Sequence, residues 1–236
     1  MISFRQFLIE MPNWMYHGTL RKIEGGKLKV DRHDFSIDRA LGSHFASDKS
    51  MADKFGDPRE PLPGKTHSKD YEPGVYRTKA PSRSKLHKLD QTSNGWDQHA
   101  IGSHITGTVF SKPENKELFK TWVKHTRHVD DKTAEEVHSH LMAGKAPSDK
   151  KFGTAAASRN SFKSYMHNFD AGLIGIHSDL RAKVVNKYIE HMKSKGKHGL
   201  VYRNTSPNET QGVRSKKSYI MFEPEHLPIE KVKKGT

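Results

Sequence analysis

The sequence predicts an α+β fold, on three observations. Short runs rich in aromatic and β-branched residues lie near both ends, at 14–16, 74–78, 200–202 and 219–222, bounded by Gly, Pro and polar clusters. Amphipathic helical patterns fill the middle, at 114–128 and 133–142, and recur at 178–195. Gly and Pro punctuation separates these segments into compact strand-turn-helix units, and no internal repeat is evident.

In chain order, Trp14-Met15-Tyr16 reads as a strand, His17-Gly18-Thr19 as a turn and Gly25-Gly26 as a break. A second apolar element opens at Gly42-Ser43-His44-Phe45-Ala46. Ser47 or Asp48 then serves as N-cap for a helix from Lys49 to Phe55, with Met51, Ala52 and Phe55 at helical spacing and Gly56 as its stop. Residues 57–70, rich in Pro, Gly and charge, read as a surface loop, followed by a strand at Gly74–Thr78. The helix over 114–128 carries Leu118, Phe119, Trp122 and Val123 on one face, and that over 133–142 carries Val137, Leu141 and Met142. Residues 143–159 are small and polar, a loop or linker. The helix over 178–195 has the stripe Leu180, Val184, Val185, Tyr188 and Met192, with Lys193 and Lys195 suiting its C-terminal dipole and Gly196 ending it. Strands at 200–202 and 219–222 flank a polar loop, and Pro224 stops the second.

The 236 residues suffice for one domain or two small ones, and 41 Lys and Arg against 27 Asp and Glu leave a net charge of +14. With 33% hydrophobic and 29% charged residues the core is lean, yet 11 Phe, 7 Tyr and 3 Trp argue against disorder. No apolar run is long enough for a transmembrane helix. The absence of Cys excludes a disulfide scaffold, a thiolate nucleophile and Cys-based zinc sites. Polyanions are the partners that such basicity suggests, and nucleic acid is one of them. The Lys and Arg are spread along the chain, however, and no helix-turn-helix, zinc finger or aromatic RNP signature accompanies them.

Three distant fragments carry the chemistry: Tyr16-His17-Gly18-Thr19, then Gly42-Ser43-His44-Phe45-Ala46-Ser47-Asp48 running into Phe55, then Gly199-Leu200-Val201-Tyr202-Arg203-Asn204 with Ser218-Tyr219-Ile220-Met221-Phe222. Together they resemble the ADP-ribosyltransferase superfamily, in the branch shared by diphtheria-like toxins, poly(ADP-ribose) polymerases and the transferase domains of phage polyvalent proteins. The likeness covers residues 13–80 and 178–229. It implies a pair of small antiparallel sheets around an NAD cleft, with a helical insertion at about 95–175 in a domain spanning 11–236. NAD enters as substrate, and cleaving its nicotinamide passes through an oxocarbenium-like ribose. The site must therefore hold the leaving ring, orient the ribose and supply negative charge nearby.

By this resemblance His17 hydrogen-bonds a ribose hydroxyl, the Gly18 backbone pairs with the nicotinamide carboxamide, and Thr19 fixes the turn. His44 and Phe55, eleven residues apart, sandwich the nicotinamide, with Phe45 beside His44. The third motif needs a carboxylate. In the polymerase branch a Glu precedes the last strand, and that position is Ser218 here. In the phage-type branch it lies in the loop after the Val-Tyr-x-Asn strand, which makes Glu209 the candidate, ahead of Glu223 and Glu225. The arginine-specific branch would show a Ser-Thr-Ser strand and a Glu-x-Glu loop; the first does not occur and the nearest loop match is Glu209-Thr210-Gln211.

The first ten residues, MISFRQFLIE, lack the long apolar stretch and small-residue cleavage site of a secretory signal. They resemble the leader of internal head proteins in T-even-like bacteriophages, cut after a Leu/Ile-x-Glu triplet, here Leu8-Ile9-Glu10. An ordinary amphipathic first helix is the alternative. With the leader, the expectation is a monomeric mono-ADP-ribosyltransferase carried inside a capsid and acting on a host protein in the host cytoplasm. The rivals are a non-enzymatic basic internal head or DNA-associated protein, and transfer of ADP-ribose onto nucleic acid. No metal is expected: His125-x-x-His128 and His138-x-His140 lack a His-Glu-x-x-His pattern and a sulfur ligand. Gly172-Leu173-Ile174-Gly175 lacks the third Gly of a dinucleotide fingerprint, and Gly144-Lys145 lacks the upstream Gly and the Ser/Thr of a phosphate loop.

Overall fold

A computed structural model describes residues 14–34, 37–56, 71–89, 98–145, 178–203 and 217–233. The chain is α+β and divides into two compact units, one made of Met1–Val30, Gly42–Trp96 and Met192–Thr236, the other of Asp31–Leu41 and Asp97–His191. The second unit takes in more of the chain than the 95–175 expected for an insertion.

The first unit is built on a seven-stranded sheet of order β4-β5-β6-β2-β1-β3-β7. Its strands are β1 (Trp14–Arg21), β2 (Ser43–Ala46), β3 (Tyr71–Lys79), β4 (Leu86–Lys88), β5 (Gly199–Arg203), β6 (Lys217–Met221) and β7 (Glu230–Lys231). Two expectations are corrected here. The sheet is not purely antiparallel, because β4 and β5 run parallel, as the long crossover between residues 88 and 199 permits. It is also continuous rather than a pair, although only just: β1 meets β3 over seven registered residues and β2 meets β6 over four, whereas β1 and β2 register at a single pair, Tyr16 with Ala46.

His17-Gly18-Thr19 is not a turn but the middle of β1. The ladder with β3, which pairs His17 with Tyr76, Gly18 with Val75 and Thr19 with Gly74, overrides the local preference of glycine for a turn. The irregularity comes later, as a register shift between Thr19 and Arg21, where the Thr19 hydroxyl accepts from the Arg21 N–H at 3.0 Å. The Gly25-Gly26 break is a short 3-10 turn with both glycines at positive φ, 60° and 66°.

Alternation along the strands gives the sheet two distinct faces. Met15, Phe45, Tyr219, Met221 and Leu86 bury on one of them with Leu28, and Val201, Ile23 and Leu227 pack around this cluster. On the other face lies the helix α2 (Lys49–Gly56; the short α1, Ile37–Leu41, belongs to the second unit). Asp48 starts α2 by accepting from the Ser50 N–H at 2.8 Å. Helix and sheet meet almost backbone to backbone. A Cβ on Gly18 would collide with the Ala52 carbonyl oxygen and lie 2.9 Å from the Gly56 nitrogen, and one on Gly56 would lie 2.5 Å from the Gly74 oxygen.

The second unit is helical, with α3 (Gln98–Phe110), α4 (Lys116–Arg127), α5 (Asp131–Met142) and α6 (Ser178–Ser194) up to His191. Phe119, Trp122 and Val123 are buried, and Phe110 meets Phe119 and Trp122 edge-on with ring centroids 5.4 and 5.6 Å apart. His128, in the left-handed region at φ 53°, ends α4, and Asp130 starts α5 by accepting from the Thr133 N–H at 2.7 Å. Asp130→Ala is expected to cost about 1 kcal/mol, read as a lower urea midpoint at unchanged slope. No helix among the described residues is long and apolar enough to cross a membrane.

Candidate functional site

The place where β1 and β2 part is also where His17 stands. Beyond the Tyr16–Ala46 pair the two backbones stop registering, and the His17 side chain bridges them: its Nδ1–H donates to the His44 carbonyl oxygen at 2.7 Å. A carbonyl only accepts, so this bond fixes the proton on Nδ1 and leaves Nε2 with a lone pair. Nε2 has no hydrogen-bond partner among the described residues. The ring tilts against Phe45, centroid to centroid 5.5 Å, which holds it in place from the core side.

Burial pushes the His17 imidazole below the ordinary histidine range, against the opposing effect of the bond to the His44 carbonyl, while the neighbouring His44 charge lowers it further. The neutral form is therefore the folded form at pH 7. Because the unfolded chain takes up this proton at higher pH than the folded one, the contribution of His17 to stability is full above the unfolded value of about 6.5. It is lost as pH falls toward the depressed folded value. Stability of the wild type is expected to drop more steeply between pH 7 and 5 than that of His17→Gln, measured as urea unfolding free energy at each pH.

The remaining residues of the expected site fall on different sides of the sheet. Phe45 faces the core and is 2% exposed, so its ring serves as the wall behind His17 and offers no surface to a ligand. His44, its neighbour in the strand, faces the other way. There it approaches Tyr202, whose hydroxyl lies 3.4 Å from His44 Nδ1. Ser218 registers with Ala46 on one side and Tyr202 on the other, and so shares that face in a buried position. Gly18 opens to the same face, directly beneath α2. Phe55, in the last turn of α2, is 49% exposed, which leaves its ring available.

Structure thus brings His17 to the His44 carbonyl, His44 to Tyr202, and the Phe55-Gly56 end of α2 to Gly18. It does not bring the His44 ring onto the side of Phe45. Thr19 stabilises a bulge within β1 rather than a turn. Glu209 lies outside the described residues, as do Leu8-Ile9-Glu10 and Gly172 to Gly175. Of the lower-ranked acids, Glu223 accepts from Lys193 at 2.8 Å, and Glu225 sits in the 3-10 turn that follows β6.

Sequence reasoning gave Tyr202 no role, although the β5–β6 register that places it beside Ser218 follows from the alternation of two short strands. It also read Gly56 only as a helix stop, whereas Gly56 is where α2 approaches the Gly74 carbonyl, as Gly18 is where β1 approaches the Ala52 carbonyl. Among the histidines set aside as metal ligands, His138 is buried with its ring 5.3 Å from Phe119, and burial lowers its pKa. No group of three potential ligands occurs among the described residues. Compared with protein families, curated proteins and solved structures, the chain matches none.

Proposed function

We propose that this protein is an NAD-dependent mono-ADP-ribosyltransferase that takes NAD where β1 and β2 part and transfers ADP-ribose to a host protein. The observation that carries the reading is the state of His17: bridging the two strands, neutral, with Nδ1–H committed to a backbone carbonyl and Nε2 left to accept from a ribose hydroxyl. His44 and Phe55, which the resemblance assigns to the nicotinamide, lie on the α2 face of the sheet, opposite the His17 ring, so the reading rests on His17. The Gly18 backbone, which the resemblance assigns to the carboxamide, lies beneath α2 on that same face.

In the reaction the bond between ribose C1′ and the pyridinium nitrogen breaks, its electron pair goes to that nitrogen, and neutral nicotinamide leaves. The acceptor nucleophile then bonds to C1′ and gives up its proton. The cationic ribose requires a nearby anion. Ser218 is buried on the α2 face and cannot supply charge, so the anion falls to Glu209, the candidate of the resemblance. The leader resemblance extends the reading to delivery from a phage capsid into the host cytoplasm.

Incubation with labelled NAD and bacterial lysate tests it. Wild type is expected to transfer label and release nicotinamide, and Glu209→Gln to do so at least about 100-fold more slowly. Neither transfer nor nicotinamide release by the wild type at millimolar NAD would overturn the proposal.

A further inference from the structure

We propose that the β4 edge of the sheet is a docking ridge for the phosphate backbone of duplex nucleic acid, independent of the NAD chemistry. Two segments more than a hundred residues apart in sequence build it. Lys79–Leu89 contains Lys79, Arg83, Lys85 and Lys88, and Lys193–Arg203 contains Lys193, Lys195, Lys197 and Arg203; neither has a single Asp or Glu.

The fold clamps the two together. Leu86, His87 and Lys88 pair in parallel with Gly199, Leu200 and Val201. Before the strands begin, Lys197 Nζ donates to the Ser84 carbonyl at 2.8 Å and the His198 N–H donates to the Lys85 carbonyl at 2.7 Å. The pairing sets the two basic segments side by side at one edge of the sheet, a positive patch that a polyanion would complement. Lys193 is neutralised by Glu223. Arg83, Lys85, Lys88 and Lys195 are exposed and form no ion pair among the described residues.

The chemistry of the ridge selects the partner. Arg83–Lys85 form a 3-10 turn that leads into β4, so Arg83 to Lys88 spans roughly 14 Å, enough to follow more than one phosphate. The two segments hold one Phe, Tyr or Trp ring between them, Tyr202, and it is buried. A single-strand site needs exposed rings on which bases stack, and this ridge has none, so its contacts are to backbone phosphate and insensitive to sequence.

Fluorescence anisotropy with a labelled DNA duplex of about 20 base pairs, at graded salt, tests the assignment in the full chain. The combined variant Arg83→Gln, Lys85→Gln, Lys88→Gln, Lys195→Gln is expected to bind more than tenfold more weakly at about 0.1 M salt. Its slope of log K against log salt should fall by about 3 to 4. A control with the same charge change at the exposed Lys27, Lys132, Lys145 and Lys183 is expected to keep most of the affinity. All eight positions are on the surface, and matching thermal melts verify folding. Equal losses in the two variants, no loss in either, or tighter binding of a single strand of equal length would overturn the ridge. Nicotinamide release without nucleic acid is expected to be unchanged in the ridge variant, so loss of duplex binding and loss of NAD chemistry are told apart.

Discussion

Gly18→Ala is expected to destabilise the sheet unit by about 3 kcal/mol, at the upper end of what overpacking a close contact costs. That should appear as a fall of roughly 10 °C in its melting midpoint. The added methyl would enter the Ala52 carbonyl, which belongs to helix backbone and cannot rotate away like a flexible side chain. Either α2 lifts from β1 or the strand bends. The natural control is Gly25→Ala, where the glycine has φ +60° but nothing stands within 4 Å of the new atom. There the cost is only that of a left-handed residue, about 1 kcal/mol. If Gly18 were glycine solely to let nicotinamide approach, Gly18→Ala would melt like the wild type and lose only NAD. A large loss of stability assigns the residue to helix seating first.

His17→Ala is expected to lower kcat/KM for ADP-ribose transfer by about 100-fold to 1,000-fold, the range seen when one positioned hydrogen-bonding group is removed from a site of developing charge. It should also cost about 1 to 3 kcal/mol of stability, since the His44 carbonyl loses its donor in a half-buried place. The two effects are separable. His17→Asn keeps an N–H for the carbonyl but puts no ring nitrogen where Nε2 was, so stability should recover in part and transfer should not. A reduction in kcat with KM little changed would place the bond in the transition state, and the reverse in ground-state binding.

The sequence was most legible where one rule governed a segment. Leu180, Val184, Val185, Tyr188 and Met192 form the predicted stripe of α6 and all are buried; Gly196 follows that helix at φ 69°. The strand read at 200–202 extends one residue further at each end, and the one read at 219–222 starts two residues earlier and ends one earlier. Legibility failed where tertiary contact decided. Helix α3 contains Gly102, Gly107 and a series of β-branched residues, and Ile101, Ser103, Ile105, Thr106, Val109 and Phe110 are all buried, so no polar face marks its period. The Thr106 hydroxyl turns back to the Gly102 carbonyl at 2.9 Å, satisfying itself within the helix.

At the candidate site, the motif reading grouped His44 with Phe45, although neighbours in a strand point to opposite faces. That correction was available from alternation alone. The bridging of two parting strands by His17 was not, because it depends on β1 and β2 sharing a single registered pair, which no local pattern encodes. Nor does any local rule reveal that Gly18 in β1 and Gly56 at the end of α2, far apart in the chain, together let helix and sheet meet backbone to backbone.

In the proposed function His17 carries its proton on Nδ1 and offers Nε2 to the ribose of NAD. Nitrogen NMR of a sample labelled in histidine, with His17 assigned through His17→Gln, reads both nitrogens directly. Before NAD is added, a protonated Nδ1 and a bare Nε2 are expected, persisting below the pH at which exposed histidines titrate. On adding NAD, a shift of Nε2 with Nδ1 nearly unmoved is expected. A proton on Nε2 in the free protein, or an Nε2 signal indifferent to saturating NAD, would contradict the proposed role of His17.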